Sequence, residues 1–172
     1  MEITDLSVRT VEDEYKYPFA NATEQRLRGM FRTYVIEIFT NEGLTGTICS
    51  VFLSEVSKKL INHMKFLLIG ENPLNTQKIW GKMFGYKMGW RNPVAKGEVI
   101  KAMSAVDAAL WDIVGKKFDV PLYQLLGGCR KEVPCYASGG HYKNLESREK
   151  EIELLKSEMS QYLDMGFKAV KM

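Results

Sequence analysis

The sequence predicts an α+β region over residues 1–128, followed by a β-α-β unit over residues 129–172. Three patterns indicate this class. Short runs rich in β-branched and aromatic residues occupy the first 55 residues, apolar residues recur at steps of three and four over residues 56–114, and strand, helix and strand patterns alternate over residues 133–171. A chain of this size buries about 70% of its unfolded surface, so its core needs no disulfide or structural metal.

The first elements are strands. We expect one at residues 3–11 and a hairpin of residues 33–40 and 44–52, joined by the turn residues Asn41, Glu42 and Gly43. Residues 12–29 form a long polar and aromatic connection that contains Tyr17, Phe19 and Asn21. Loops of this length are usually functional or disordered. The aromatic residues favour a functional loop, and a loop packed over the core is the alternative.

Helices follow from residue 54. The apolar spacing predicts helices over residues 56–68 and around residues 79–84, and the clearest one over residues 99–114. This third helix is predicted to end near Gly115, with Lys116 and Lys117 at the favourable C-terminal position. A short apolar turn over residues 122–126 is then closed by Gly127 and Gly128, where we place the domain boundary.

The last segment is predicted to be a β-α-β unit. Residues 133–138 are strand-like, Gly139 and Gly140 break the strand, residues 149–165 carry a helical apolar stripe, and residues 167–171 are strand-like again. A right-handed crossover between two such strands belongs to a parallel sheet, and one unit cannot bury both faces of its strands alone.

Charge and composition exclude several classes of partner. Lys and Arg total 24 against 21 Asp and Glu, a net charge of +3, and the charges are interspersed, so we expect no nucleic-acid partner. The stretch from Lys78 to Lys101 contains six basic residues and a single acidic residue, Glu98. This stretch could attract an anionic substrate, although a solvated surface is the favoured interpretation.

Cysteine and histidine usage points to a reducing compartment and no zinc site. The three cysteines and two histidines have no metal-ligand spacing, and no disulfide framework is expected. The N-terminus lacks signal-peptide features and no apolar run reaches the roughly 20 residues of a membrane span. We therefore expect a cytoplasmic protein with no membrane partner.

Two blocks carry a family resemblance. Residues 105–117 (AVDAALWDIVGKK) and residues 120–128 (VPLYQLLGG) resemble the enolase superfamily, in particular its mandelate racemase and muconate lactonizing enzyme branch. Shorter matches lie at residues 3–5, 42–46, 133–140 and 166–171. The resemblance implies an α+β capping domain over residues 1–128, and over residues 129–172 the first β-α-β of a truncated (β/α) barrel. A complete barrel needs about 250 residues.

The resemblance also implies a chemistry. Members bind Mg²⁺ and remove the proton α to a carboxylate, which is a weakly acidic position whose anion must be stabilised. We expect the N-terminal part of an acid-sugar dehydratase acting on a small carboxylate or acid sugar, with a racemase or epimerase of the same superfamily as the alternative. A non-catalytic interaction module is a further alternative if 172 residues are the whole product. We also expect a homo-oligomer.

The same resemblance names the candidate site residues. Lys171 matches the first lysine of a Lys-x-Lys motif on the second barrel strand, where it would flank the catalytic base. The Mg²⁺ ligands are expected beyond residue 172, so the chain alone is expected to be inactive. Tyr17, Phe19 and Asn21 lie in the loop that folds over the active site in this family. His141 and Tyr142 follow the first barrel strand and either line the barrel mouth or lie in an ordinary loop.

Three prominent motif residues are interpreted as structural. Asp112 and Lys116 have the i, i+4 spacing of a helical ion pair. Trp111 is a large apolar side chain suited to a domain boundary. Asp107 completes the motif, and none of the three residues Asp107, Trp111 and Asp112 is expected to touch substrate.

Overall fold

The structure, a computed structural model, describes residues 1–14, 19–20, 25–26, 30–85, 96–141, 143 and 147–172. The chain divides into two compact units, one of Met1–Glu12 and Arg32–Gly128 and the other of Asp13–Phe31 and Cys129–Met172. The elements in chain order are β1 (Ile3–Glu14), β2 (Phe19–Ala20), β3 (Gln25–Arg26), β4 (Met30–Thr40), β5 (Thr45–Ser50), α1 (Glu55–Leu68), α2 (Thr76–Gly85), α3 (Lys96–Phe118), α4 (Leu122–Leu125), β6 (Ala137–Ser138), α5 (Arg148–Asp164) and β7 (Val170–Lys171).

A three-stranded sheet of order β1-β4-β5 forms one layer of the first unit. The predicted hairpin is confirmed, because β4 and β5 pair antiparallel with Ile36 opposite Ile48. Gly43 turns the chain between them with a φ of 78°, a left-handed conformation that glycine adopts without steric cost.

The long connection after β1 differs from the predicted loop. The first strand continues to Glu14 rather than ending near Val11, and β2 and β3 pair antiparallel with Phe19 opposite Arg26. Strands of two residues in a polar stretch are too short to give a clear alternation of apolar and polar residues. The sequence therefore predicts a loop there.

Helix α1 begins with a reciprocal cap. The Ser54 hydroxyl accepts a hydrogen bond from the Ser57 backbone N–H at 3.2 Å, and the Ser57 hydroxyl accepts one from the Ser54 N–H at 3.3 Å. These bonds satisfy backbone donors that a helix N-terminus otherwise leaves without partners. Helices α1 and α2 confirm the two predictions in this part of the chain.

Helix α3 is longer than the sequence predicts. It passes through Gly115 and ends at Phe118, so the prediction that Gly115 ends the helix is wrong. Asp119 takes the left-handed conformation instead, with a φ of 52°. Gly115 has a different role, because the Val120 N–H donates to its carbonyl at 3.0 Å and a Cβ there would lie 3.2 Å from the Val120 carbonyl oxygen.

The three helices pack on the sheet around one hydrophobic core. Residues Ile36 and Ile38 of β4, Ile61 of α1, Ile79 of α2 and Leu110 of α3 are completely buried within it. Helix α3 and β5 lie in close contact at Gly46, where a Cβ would lie 2.1 Å from the Ala109 carbonyl oxygen. The hairpin therefore requires glycine at this position.

The second unit contains the predicted β-α-β unit, with shorter strands. Strands β6 and β7 pair in parallel through Ala137 with Val170 and Ser138 with Lys171. The predicted strands over residues 133–138 and 167–171 are too long, because strand pairing stops after two residues on each. Helix α5 begins after Ser147, whose hydroxyl accepts from the Lys150 N–H, and Gly166 follows it with a φ of 91°.

Candidate functional site

The carboxyl ends of β6 and β7 lie at the same end of the small parallel sheet, and two predicted site residues lie there. Lys171 is the last residue of β7, and its carbonyl oxygen accepts a hydrogen bond from the Gly139 N–H at 3.0 Å. His141 follows two residues later, and both side chains are exposed. In parallel β/α folds the carboxyl ends of strands are where ligands bind.

A cavity of about 170 Å³ lies beside this carboxyl end of the sheet, between the segment after β6 and helix α5. Gly140 and His141 line its strand side, Leu155 and Glu158 line its helix side, and Lys143 also contributes. The cavity therefore has an apolar wall and a charged rim.

Glu158 and Tyr162 fix the glycine pair at the end of β6. The Tyr162 hydroxyl donates to Glu158 Oε1 at 2.8 Å, and the same oxygen accepts a hydrogen bond from the Gly140 N–H at 3.4 Å. This hydrogen bond to the carboxylate raises the pKa of the Tyr162 hydroxyl. A Cβ at Gly139 would lie 2.5 Å from Glu158 Oε1 and from the Tyr162 hydroxyl oxygen, so both side chains would have to shift to admit one.

Sequence reasoning missed these two residues. Their i, i+4 spacing on α5 was the available signal, because it places both side chains on one face of the helix. Only the fold shows that this face meets Gly139 and Gly140.

The other predicted substrate residues are only partly visible. Tyr17, Asn21 and Tyr142 lie outside the described residues, and the structure shows the β2 backbone at Phe19. The assignment of all five side chains to substrate binding stays a prediction, as does the catalytic assignment of Lys171.

The basic stretch is partly neutralised by two carboxylates. Lys78 and Lys82 both contact Glu71, at 2.8 and 2.6 Å, and Lys101 contacts Glu98 at 3.0 Å. The two lysines also hold the pKa of Glu71 below its usual range. These pairs support the interpretation of this stretch as a solvated surface, as far as its residues are described.

The motif on α3 has structural contacts. Asp112 and Lys116 form the predicted i, i+4 ion pair at 2.7 Å. Asp107 is half-buried, and burial raises the pKa of its carboxyl.

The described residues do not fit a magnesium centre. Among them, no group of three or more His, Cys, Asp or Glu side chains is placed to hold a metal ion. The three cysteines are free and exposed. In the part of the chain that the structure describes, no helix is both long and apolar enough to cross a membrane.

Comparison with known proteins gives one matching family. Residues 4–127 match the model of the mandelate racemase / muconate lactonizing enzyme N-terminal domain. Arabinonate dehydratase of Saccharolobus solfataricus is 36% identical over 78% of this chain and 35% of its own length. D-mannonate dehydratase of Rhizorhabdus wittichii is 36% identical over 79% of this chain and 32% of its own length.

Solved structures show the same fold. A racemase from Streptomyces coelicolor A3(2) with bound magnesium superposes with a TM-score of 0.78 and 27% identity, over 99% of this chain and 46% of its own. The chain thus spans about a third of the length of the curated relatives above and less than half of this solved chain.

Proposed function

This chain belongs to the mandelate racemase / muconate lactonizing enzyme family, and from that premise we propose that it forms the N-terminal part of a Mg²⁺-dependent acid-sugar dehydratase. The observation that carries the proposal is the 36% identity to two dehydratases, of arabinonate and of D-mannonate, over more than three quarters of the chain. The α+β capping domain and the first β-α-β of the barrel are the parts of the fold that this chain supplies.

Dehydration of an acid sugar begins with transfer of the proton α to the carboxylate to a base and continues with departure of the protonated β-hydroxyl as water, which leaves an enol that tautomerises to a 2-oxo acid. The first step is difficult because negative charge develops beside an existing carboxylate. Mg²⁺ would supply positive charge at that carboxylate, and residues outside this chain would hold the ion. The racemase with bound magnesium supports this assignment.

The proposed contribution of Lys171 is electrostatic. A lysine base works near neutral pH only when its neutral form is favoured, and a second ammonium close by favours that form. Lys171 is the last residue of β7, at the carboxyl end of the small parallel sheet where His141 also lies. This position supports the proposed role because ligands bind at the carboxyl ends of strands in such folds. We assign Lys171 as the neighbour of the base, and the base itself lies outside this chain.

Substrate selection is proposed for two segments. Tyr17, Phe19 and Asn21 of the segment after β1 would contact the sugar chain, together with His141 and Tyr142 after β6. Hydroxyl and amide groups suit a polyhydroxylated acid because they donate and accept hydrogen bonds. We propose a cytoplasmic homo-oligomer as the setting, and the three free cysteines agree with a reducing compartment.

A racemase or epimerase is the second candidate, favoured by the structural match to the Streptomyces coelicolor racemase. Both reactions share the first proton transfer. They differ afterwards, because a dehydratase expels the β-hydroxyl and a racemase returns a proton to the opposite face.

An assay of the full-length protein that contains residues 1–172 tests the proposal. It would be assayed with a panel of acid sugars, with the arabinonate dehydratase relative as the control. We expect 2-oxo acid product that is lost with EDTA and restored by Mg²⁺. In the same protein, Lys171→Met should lower kcat by about 100-fold with little change in KM.

Two results would overturn the dehydratase assignment. The first is α-proton exchange without loss of water, which would favour the racemase. The second is a folded full-length protein that binds Mg²⁺ and processes no acid sugar while the control relative is active.

A further inference from the structure

Strand β5 lies at the edge of the three-stranded sheet, and its outward backbone groups can be identified. The Leu44 carbonyl, just before β5, accepts from the Thr40 N–H at the end of β4. Because antiparallel strands alternate the direction of their backbone groups, Thr45, Thr47 and Cys49 point theirs away from β4. An exposed row of this kind is a template for adding another strand.

Two side chains of α3 occupy this row. The Thr47 N–H donates to Asp112 Oδ2 at 2.8 Å, and Lys116 Nζ donates to the Thr45 carbonyl at 2.7 Å. The same Lys116 nitrogen donates to Asp112 Oδ2 at 2.7 Å. The ion pair therefore binds one backbone donor and one backbone acceptor of the open edge, and its two charges satisfy each other.

The sequence of β5 lacks the charged residues and the proline that often block strand addition. Its six residues, TGTICS, include no charged residue and no proline. The opposite edge strand, β1, carries five charged residues, and the Ile3 N–H and carbonyl are both bonded, to Glu71 and Gly70. Protection of β5 must therefore come from another element, and α3 supplies it.

We propose that the Asp112–Lys116 ion pair is an edge guard, which keeps β5 from pairing with β5 of a second copy of this chain. A twofold axis perpendicular to the strands would pair two identical β5 strands antiparallel, so each copy offers the groups that the other needs. The short, uncharged strand suits this partner because its opposed Thr side chains create no charge repulsion.

The test removes the guard and compares it with a matched ion pair. The edge variant is Asp112→Ala with Lys116→Ala. The control variant is Glu42→Ala with Lys117→Ala, which removes an ion pair of similar exposure at 2.6 Å between α3 and the hairpin, together with the 3.1 Å contact of Glu42 with the Met1 amino group. The structure bonds neither side chain to a backbone group of β5. Hydrogen exchange at low concentration and sedimentation equilibrium would be measured on both variants and on the unmodified chain.

We expect the Thr47 amide to exchange at least about tenfold faster in the edge variant than in the control variant. We also expect the dissociation constant for self-association to fall at least about tenfold, with Thr47 protected again at high concentration. Unchanged Thr47 exchange would overturn the assignment of the guard. Faster exchange with no tighter association would overturn the assignment of a second copy as the strand that the guard excludes.

A milder variant tests the proposal if the edge variant does not fold. Asp112→Asn keeps an oxygen for the Thr47 N–H and removes the charge that holds Lys116. We expect the exchange rate of the Thr47 amide to lie between that of the unmodified chain and that of the edge variant. We expect the same of the strength of self-association. Exchange equal to that of the unmodified chain would contradict the proposal.

Discussion

At the scale of single residues, Gly46 sets the distance between the hairpin and α3. Glycine is the only residue that fits, because an added Cβ would meet the Ala109 carbonyl oxygen at 2.1 Å and Ile113 Cγ1 at 2.7 Å. Ala109 is part of a helix backbone, so the neighbouring atom cannot rotate away as a flexible side chain could. The close approach therefore requires glycine in the hairpin where it meets α3.

Gly46→Ala should lower the free energy of unfolding by about 3 kcal/mol or more, since the packed helix must move to admit the methyl group. Gly81→Ala is the control, because Gly81 lies inside α2 with open space around it. It should raise stability by up to about 1 kcal/mol through helix propensity. Urea unfolding measures both, and equal stability of the two variants would contradict the packing account.

Glu98 links the first turns of α1 and α3. Its Oε2 accepts from the hydroxyls of Ser54 at 2.6 Å and of Ser57 at 2.5 Å, and its Oε1 accepts from Lys101. These bonds, that from Ser54 first, lower the pKa of the Glu98 carboxyl from 4.5 to about 2. The stabilisation is thus complete above about pH 4.5 and is lost as the pH falls through 2.

Glu98→Gln should be less stable than the unmodified chain at pH 7, and the difference should shrink as the pH falls from 4.5 towards 2. Glu2→Gln is the control, because Glu2 is an exposed carboxylate with no side-chain hydrogen bond among the described residues. Thermal unfolding across this pH range gives both curves. A difference between Glu98→Gln and the unmodified chain that is constant from pH 7 to pH 2 would disprove the link to ionisation of Glu98.

At the scale of elements, α3 shows how the sequence predicts a helix better than its end. The apolar stripe over residues 99–114 lies on the buried side of α3, and the predicted helix is confirmed. The sequence misplaces the end because Gly115 resembles a glycine that terminates a helix. In the structure Gly115 instead leaves room for the Val120 carbonyl oxygen, which a Cβ would crowd. Asp119 carries the positive φ, and a sequence pattern contains no signal that distinguishes the two causes.

Asp119→Gly should raise the free energy of unfolding by about 0.5–1 kcal/mol, since glycine adopts a φ of 52° without steric cost. Asp119→Ala keeps the Cβ and loses the polar side chain that tolerates this conformation, so it should be no more stable than the unmodified chain. Urea unfolding compares the variants, and equal effects of Gly and Ala would contradict the conformational explanation.

The β-α-β unit shows a second limit of prediction. Its order of elements follows from the sequence, but residues 133–136 and 167–169 are not strands in the structure. A strand exists only where backbone groups find a partner, and two short strands offer each other few partners. Sequence patterns report the propensity of a segment, not the presence of its neighbours.

At the scale of the whole molecule, the two units differ in how much they bury. The first contains the hydrophobic core. Among the described residues of 129–172, only Ala137 and Gly139 are buried, while Val133, Leu163, Met165 and Met172 are each at least 60% exposed. This distribution suits a segment whose apolar surface is completed by other barrel elements.

Hydrogen exchange should therefore show two levels of protection. The amides of Ile36 and Ile38 should exchange only on global unfolding, whereas those of Ala169 and Val170 should exchange through a local opening of much lower free energy. Light scattering at the same concentration would detect self-association through the exposed apolar residues. A monodisperse monomer with slow exchange at Ala169 and Val170 would contradict this account.

We propose that this chain supplies the cap and the start of the barrel, and that proton abstraction requires metal ligands that its described residues do not provide. The most direct measurement is exchange of the α-proton of acid sugars in D₂O by residues 1–172 with Mg²⁺, followed by NMR. We predict no exchange above a control without protein, because the described residues contain no set of ligands for the ion. Mg²⁺-dependent exchange well above that control would show that the chemistry resides in this chain.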